Sequence, residues 1–206
     1  LLKEFAKTNL PLILSSGMCS LNEVTKSLNA IDAIGGYPTI LLITTSEYPT
    51  PNESVNLLKF QTLAKNFPNI PLGFSDHTQG VLASSLACAM GACVFEKHFT
   101  LSHNLPGPDH WFSADPNELI QWIKSIRTSH IMMGSEEIKP TKSEEMLKLT
   151  ARRSIFAISD IKEGDVFSMK NIGLRRPGNG LPSEYFETIL GKKSTKYFKK
   201  GELIEL

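Results

Sequence analysis

The sequence predicts an α/β protein: the C-terminal half of a (β/α)8 barrel followed by a small, mainly β domain. Short apolar runs alternate with helical stretches over the first 134 residues, and two of these runs end in histidine. Beyond Gly134 the pattern changes to short strands separated by Gly, Asn and Pro. Near-continuous apolar strands between helices are typical of a parallel sheet covered on both faces.

The alternation predicts four strands and five helices. The strands are at 11–15, 40–46, 72–77 and 93–100, and the helices at 1–8, 21–34, 57–66, 81–90 and 116–132. Four strands cannot close a barrel, and the chain opens without Met inside a helix, so we expect a longer polypeptide with the other strands before Leu1. An open doubly wound sheet is the alternative, although no Gly-x-Gly-x-x-Gly follows any strand.

The composition narrows the class of protein. A net charge of +1 gives no argument for a nucleic-acid partner. No apolar run approaches the roughly 20 residues that a membrane span needs, so no membrane partner is expected. An odd number of cysteines in apolar surroundings (Cys19, Cys88 and Cys93) predicts buried, reduced thiols in a cytoplasmic protein.

The predicted domains are 1–134, a partial barrel, and 151–206, a small β domain, joined by a linker at 135–150. The linker is polar and charged around Pro140. Two segments of the second domain, 161–166 and 198–203, echo one another. Each has a glycine between a lysine and an acidic residue, where a tight turn needs positive φ.

His77 and His98 end neighbouring predicted strands that are joined by one amphipathic helix. Residues i and i+2 of a strand share a face, so Ser75 lies beside His77 and Glu96 beside His98. Two imidazoles, a carboxylate and a hydroxyl at adjacent strand ends could hold a divalent cation and a substrate. A single strand-end histidine is more often structural, and the pairing favours the metal interpretation.

Several motifs occur in an order and spacing that resembles the sialic acid (N-acetylneuraminate) synthase family. They cover essentially the whole chain: Leu14-Ser-Ser-Gly-Met18, Ser46-Glu-Tyr-Pro-Thr-Pro51, Gly73-Phe-Ser-Asp-His-Thr78, Phe95-Glu-Lys-His-Phe-Thr100, Pro106-Gly-Pro-Asp-His110 and Arg176-Pro-Gly-Asn-Gly180.

The resemblance implies a TIM barrel followed by a SAF, or antifreeze-like, domain. It also implies a phosphoenolpyruvate-dependent condensation with an N-acylated hexosamine, and a domain-swapped homodimer. By resemblance His77 and His98 are the protein ligands of a divalent metal. Two imidazoles with open positions favour Mn²⁺, Co²⁺ or Fe²⁺ over Mg²⁺, and Mn²⁺ is the family's usual ion.

The resemblance also gives roles to single residues. Glu96 would contact the sugar or move a proton, although it could be a salt-bridged barrel carboxylate. Ser15 and Ser75 would belong to the phosphoenolpyruvate pocket, although strand-end hydroxyls often only cap a helix.

The remaining positions would bind the amino sugar. Ser46 and Tyr48 correspond to sugar contacts, and a packed aromatic is an equal alternative for Tyr48. Asp109 would reach sugar hydroxyls, although its loop could be a plain turn. Arg176 would enter the neighbouring subunit's site, where a guanidinium suits planar hydrogen bonding.

The chain departs from the family at one strand, where Ile43-Thr-Thr45 replaces a His-Cys-Thr or Lys-Cys-Thr run, so substrate choice could differ. Two other classes stay open. One is a metal-dependent aldolase or hydrolase on a related barrel, and the other is a truncated, non-catalytic protein whose SAF domain binds carbohydrate or a partner.

Overall fold

The structure, a computed structural model, describes residues 1–205 and divides into two units, Leu1–Ser135 and Glu136–Leu206. Among the described residues, no helix is both long enough and apolar enough to cross a bilayer.

The first unit alternates strands and helices around one parallel sheet. Its elements are α1 (Leu2–Ala6), β1 (Leu12–Ser15), α2 (Leu21–Ala30), β2 (Thr39–Ile43), α3 (Asn52–Val55), α4 (Lys59–Asn66), β3 (Leu72–Asp76), α5 (Leu82–Ala89), β4 (Val94–Lys97) and α6 (Pro116–Met133). All four strands and five helices that the sequence predicts are present, and the short α3 is additional.

The strands follow the order β1-β2-β3-β4, and every neighbouring pair is parallel. A doubly wound sheet reverses its strand order at a switch point, whereas a barrel adds each strand beside the last. The sequential order within residues 1–135 therefore confirms half of a β/α barrel, and these four strands contain no switch point.

Helix boundaries follow local capping chemistry. Ser20 caps α2 and Asp115 caps α6, each in a reciprocal capping box with a glutamate three residues later. The prediction that α2 continues to residue 34 is wrong, because Asp32 adopts a left-handed conformation with φ of 58° and turns the chain after Ala30.

The core of the first unit lies between the sheet and its helices. Phe60 and Leu28 are fully buried there, together with Ile43 and Ala87. These side chains come from one face of each helix and the outer face of the sheet, so the strand ends are held by a packed layer on one side.

The predicted buried state of the cysteines is wrong for two of the three. Cys88 is buried on α5, and burial raises the pKa of its thiol. Cys19 and Cys93 are exposed, and all three are free thiols.

The second unit contains α7 (Lys142–Ala151), the antiparallel pair β5 (Ser154–Ala157) and β6 (Ile172–Arg175), a 3₁₀ turn (Ser183–Tyr185) and α8 (Phe186–Ile189). The segment 135–150, predicted as a linker, thus contains a helix, which Thr141 caps through Glu144. Hydrophobic periodicity is weak in this polar stretch, so the capping box was the available signal.

The two echoing segments of this unit pair with each other. An antiparallel bridge joins Ile161 to Phe198, and both side chains are buried. Gly164 and Gly201 have φ values of 84° and 94°, as the predicted turns require.

Candidate functional site

The two predicted imidazoles lie side by side at the carboxyl end of the sheet. Ser75 and Glu96 are Cα partners of β3 and β4, and each is followed two residues later by a histidine. The ring centroids of His77 and His98 are 5.2 Å apart, with an interplanar angle of 78°. The structure therefore brings together the cluster predicted from strand periodicity.

One ring nitrogen of His77 is fixed by the backbone. Its Nδ1 lies 2.8 Å from the carbonyl oxygen of Thr45, which can only accept, so Nδ1 carries the proton. The side chain of Thr44 lies near the same nitrogen, at 3.4 Å. In the neutral ring Nε2 then keeps its lone pair, the form in which histidine binds metal.

Ser75 lies between this histidine and a carboxylate. Its Oγ is 2.6 Å from Oε1 of Glu96 and 3.4 Å from Nε2 of His77. A hydroxyl has a single proton, and the shorter distance assigns that proton to Glu96. The Nε2 lone pair therefore has no strong donor facing it.

This donor set fits a divalent cation. An imidazole nitrogen bonds such an ion at about 2.0–2.2 Å, so two rings that share an ion have centroids roughly 5 Å apart. The observed separation of His77 and His98 matches that spacing. Two nitrogen ligands would leave the other coordination positions for water or substrate oxygens.

His98 is oriented from the other side. Its Nδ1 lies 3.7 Å from Oδ2 of Asp109, and its ring packs 5.1 Å from that of Phe112. The structure thus brings the predicted sugar residue Asp109 to the imidazole pair. Its carboxylate is more than half exposed, which leaves oxygen atoms free for a ligand.

Tyr48 covers the imidazole pair. Its ring centroid lies 4.3 Å from that of His77 and 5.5 Å from that of His98. The side chain is half exposed, so the ring packs against the imidazoles as the packed-aromatic alternative expects, and the contact with the amino sugar stays a prediction.

Ser15 is the last residue of β1, and Ser46 lies in the loop that follows the neighbouring strand β2. Ser15 is exposed and pairs in register with Leu42, two residues before Thr44. Ser46 lines a cavity of about 430 Å³ between the ends of these strands and the helices α2 and α4. A Cβ on Gly17 would overlap the Ser46 Oγ, so a larger residue there would force the Ser46 hydroxyl to move.

Arg176 belongs to the second unit, where it is exposed immediately after β6. Its predicted entry into a neighbouring subunit's site stays a prediction.

A second group of possible metal ligands lies elsewhere in the first unit. Ligand atoms of His103, Asp115 and Glu118 lie within 4.8 Å of one another, and this is the one set of three or more within residues 1–205. Both carboxylates already form the capping box of α6. The group is therefore explained by helix capping.

Sequence reasoning missed two charged residues next to the site, Asp76 and Lys97. They are Cα partners in β3 and β4, and each immediately precedes one of the histidines. Their side chains form a buried ion pair, with Nζ 3.4 Å from Oδ2. The available signal was that Asp76 and Lys97 are charged residues on the face of the sheet that the helices cover, where apolar residues are usual.

Fold and site together define a β/α-barrel protein with a strand-end imidazole pair, accompanied by a small β unit. Comparison with known proteins identifies the family to which the chain belongs. The NeuB family matches residues 1–138, and the SAF domain matches residues 152–205. The chain belongs to the NeuB family and carries a SAF domain, which confirms the resemblance seen in the sequence.

Two relatives and one solved structure illustrate the similarity. The uncharacterized protein MJ1065 of Methanocaldococcus jannaschii is 46% identical over 204 residues, with 99% of this chain and 60% of the relative covered. The N,N'-diacetyllegionaminic acid synthase of Campylobacter jejuni is 43% identical over 205 residues, with coverage of 98% and 61%. The crystal structure of the spore coat polysaccharide biosynthesis protein SpsE from Bacillus subtilis has a TM-score of 0.62 at 31% identity, with coverage of 99% and 62%.

The chain thus spans about 60% of the length of the relatives that it matches. The half-barrel seen here corresponds to part of a longer chain in those relatives.

Proposed function

We propose that the full-length protein containing this chain condenses phosphoenolpyruvate with an open-chain N-acylated hexosamine. The products would be a sialic acid-type nonulosonic acid and inorganic phosphate. The observation that carries the proposal is the facing pair His77 and His98, with Glu96 held beside them through Ser75. Membership of a family that contains a named legionaminic acid synthase supports the reaction class.

The reaction forms one carbon–carbon bond and one carbon–oxygen bond to water, and it breaks the carbon–oxygen bond to phosphate. Carbon 3 of phosphoenolpyruvate attacks the sugar aldehyde carbon, whose oxygen takes up a proton. Water adds at carbon 2, and phosphate leaves from the resulting tetrahedral carbon. No redox partner is needed, since the electrons of the enol double bond form the new bond.

His77 and His98 would hold a divalent metal, which we propose to be Mn²⁺. When bound, such an ion supplies Lewis-acid polarisation of a carbonyl oxygen. The Thr45 carbonyl keeps the His77 Nε2 lone pair directed to that position. Tyr48 covers the two rings and would limit access of water.

Glu96 is the proposed proton-transfer group. Its carboxylate accepts a hydrogen bond from Ser75, which holds it at the strand end beside both imidazoles. A carboxylate at this place can move a proton between water and the sugar or the tetrahedral carbon.

Substrate contacts are proposed for the other side chains near the strand ends. Ser15 would donate to phosphoenolpyruvate, and Ser75 would line the same pocket while its hydroxyl proton is bonded to Glu96. Asp109 would accept from sugar hydroxyls. Ser46 and Tyr48 would contact the amino sugar, since Ser46 lines the cavity at the ends of β1 and β2 and Tyr48 covers the imidazole pair. Arg176, from the SAF domain of a partner protomer, would bind the N-acyl or carboxylate group.

The test is a phosphate-release assay on the full-length protein with Mn²⁺ and phosphoenolpyruvate. The sugars offered would be N-acetylmannosamine, its 6-phosphate and a di-N-acetylated hexosamine, since one relative is named for a diacetylated product. Phosphate release that requires one of these sugars, with a nonulosonic acid identified by NMR, supports the proposal. Absence of sugar-dependent phosphoenolpyruvate consumption with the whole panel contradicts it.

A further inference from the structure

We propose that Lys97, acting with Asp76, is a positioning residue that fixes the two imidazoles relative to each other. The inference deepens the proposed function, and it rests on that function only for the identity of the bound ligand. It concerns side chains on the opposite face of the sheet from the site.

The strand register places two cross-strand pairs in succession. Ser75 pairs with Glu96 on the site face, and Asp76 pairs with Lys97 on the face covered by helices. The next residues along the two strands are His77 and His98. A contact between Asp76 and Lys97 therefore acts directly on the backbone that carries both rings.

The Lys97 ammonium donates hydrogen bonds to the backbone on both sides of His77. Its Nζ lies 2.6 Å from the carbonyl oxygen of Thr78 and 3.5 Å from that of Asp76. The same ammonium lies 3.4 Å from Oδ2 of Asp76. A side chain of β4, one residue before His98, thus binds the peptide groups that flank the other histidine.

Hydrogen bonds to Asp76 connect the Lys97 contacts to the helices α5 and α6. Its carboxylate is fully buried and accepts hydrogen bonds at 2.6–2.8 Å from the Thr78 amide and hydroxyl and from the Ser84 hydroxyl of α5. The single N–H of the Trp122 indole of α6 is shared between the Ser84 Oγ, at 2.8 Å, and Oδ2 of Asp76, at 3.0 Å. Both carboxylate oxygens are hydrogen-bonded, so the position of the carboxylate has little freedom.

A buried ion pair is weak evidence for a gain in stability, because desolvation offsets the attraction. Here the Lys97 side chain is only 7% exposed. Its contacts are with backbone carbonyls on both sides of His77, so Lys97 acts on the backbone that carries the ring, whereas the Thr45 carbonyl holds the ring nitrogen itself. The geometry therefore assigns to Lys97 the role of fixing the distance between the rings of His77 and His98.

The variant Lys97→Met tests the assignment in the full-length protein, since it keeps the length of the side chain and removes the ammonium. We expect the Kd for Mn²⁺ to rise about tenfold or more, measured by electron paramagnetic resonance. The visible spectrum of bound Co²⁺ should change as well, because it reports ligand geometry.

Ser85→Ala is the matched control. The Ser85 hydroxyl bonds to that of Ser125 and joins the same two helices, α5 and α6, without reaching Asp76. We expect unchanged Mn²⁺ affinity in this variant. Ser84→Ala removes one donor to Asp76 and is the milder variant if Lys97→Met does not fold; a smaller rise in Kd is expected.

A measurement without metal separates this inference from the proposed function. The ¹⁵N spectrum of the full-length protein should show the Nδ1–H tautomer of His77 in the wild type and a mixture of tautomers in Lys97→Met. If the wild type binds no Mn²⁺, the metal proposal fails, and the tautomer result alone decides the role of Lys97. An unchanged His77 tautomer together with unchanged Mn²⁺ affinity would overturn the inference.

Discussion

Ser75 donates a hydrogen bond of 2.6 Å to Glu96 from the directly opposite position of the neighbouring parallel strand. The bond commits the only hydroxyl proton of Ser75, so the nearby Nε2 of His77 faces the site with its lone pair. The pair Ser75–Glu96 thus fixes the position of the Glu96 carboxylate and leaves the Nε2 lone pair of His77 free to bind a ligand.

Glu96→Gln should lower kcat by roughly 10²–10⁴-fold, because an amide cannot exchange the proton that general acid–base catalysis requires. The KM for phosphoenolpyruvate should change little. Steady-state phosphate release measures both constants. Glu53→Gln, an exposed change on α3, is the control, and equal rates for the two variants would remove Glu96 from the mechanism.

Arg176→Ala should raise the KM for the sugar by about tenfold or more with a smaller change in kcat, because a charged hydrogen bond to the substrate is lost. Arg175→Ala provides the comparison, as both arginines are exposed and adjacent. Sugar kinetics that are the same in wild type and Arg176→Ala would refute the assignment.

The second unit should lose a local contact in acid. The backbone amide of Lys200 and the Tyr197 hydroxyl both bond to Asp160 and lower the pKa of its carboxyl. A lowered folded-state pKa contributes stability above the unfolded value of about 4, and the contribution disappears as pH falls through the lower folded value.

Hydrogen exchange at the Lys200 amide measures this effect. After correction for the intrinsic rate, protection should persist at neutral pH and fall below about pH 4. Asp160→Ala should remove the protection at both pH values. Protection that does not depend on pH or on Asp160 would contradict the contact.

The stability of the first unit should depend strongly on Phe60, a residue of α4 whose side chain is fully buried against the sheet. Phe60→Ala should lower the free energy of unfolding by about 3–5 kcal/mol, since it removes a large side chain and leaves a cavity. Lys65→Ala on the exposed face of the same helix should change it by less than about 0.5 kcal/mol. Chemical denaturation compares the two.

The sequence contains enough periodic signal to predict the strands, most helices and the pairing of His77 with His98. Strand alternation alone places Ser75 beside His77 and Glu96 beside His98, because the period of two is exact in an extended chain. The end of α2 was missed since it depends on a single left-handed residue, Asp32, inside an apolar pattern.

Strand and helix periodicity does not predict contacts between residues that are distant in sequence. The Trp122 indole reaches Asp76 from 46 residues away, and the Thr45 carbonyl reaches His77 from 32 residues away. No local pattern records these distances, which follow from how helices pack on the sheet. The helix α7 was missed because its polar composition hides the periodicity, although Thr141 and Glu144 carry a capping signature.

The most direct test of the central claim is Mn²⁺ binding to the full-length protein, observed by pulsed electron paramagnetic resonance. We predict nitrogen couplings from two imidazoles in the wild type, from one in His98→Ala, and two again in His130→Ala, whose histidine is exposed on α6. Two nitrogen couplings that persist in both His77→Ala and His98→Ala would show that the ion binds elsewhere and would contradict the account.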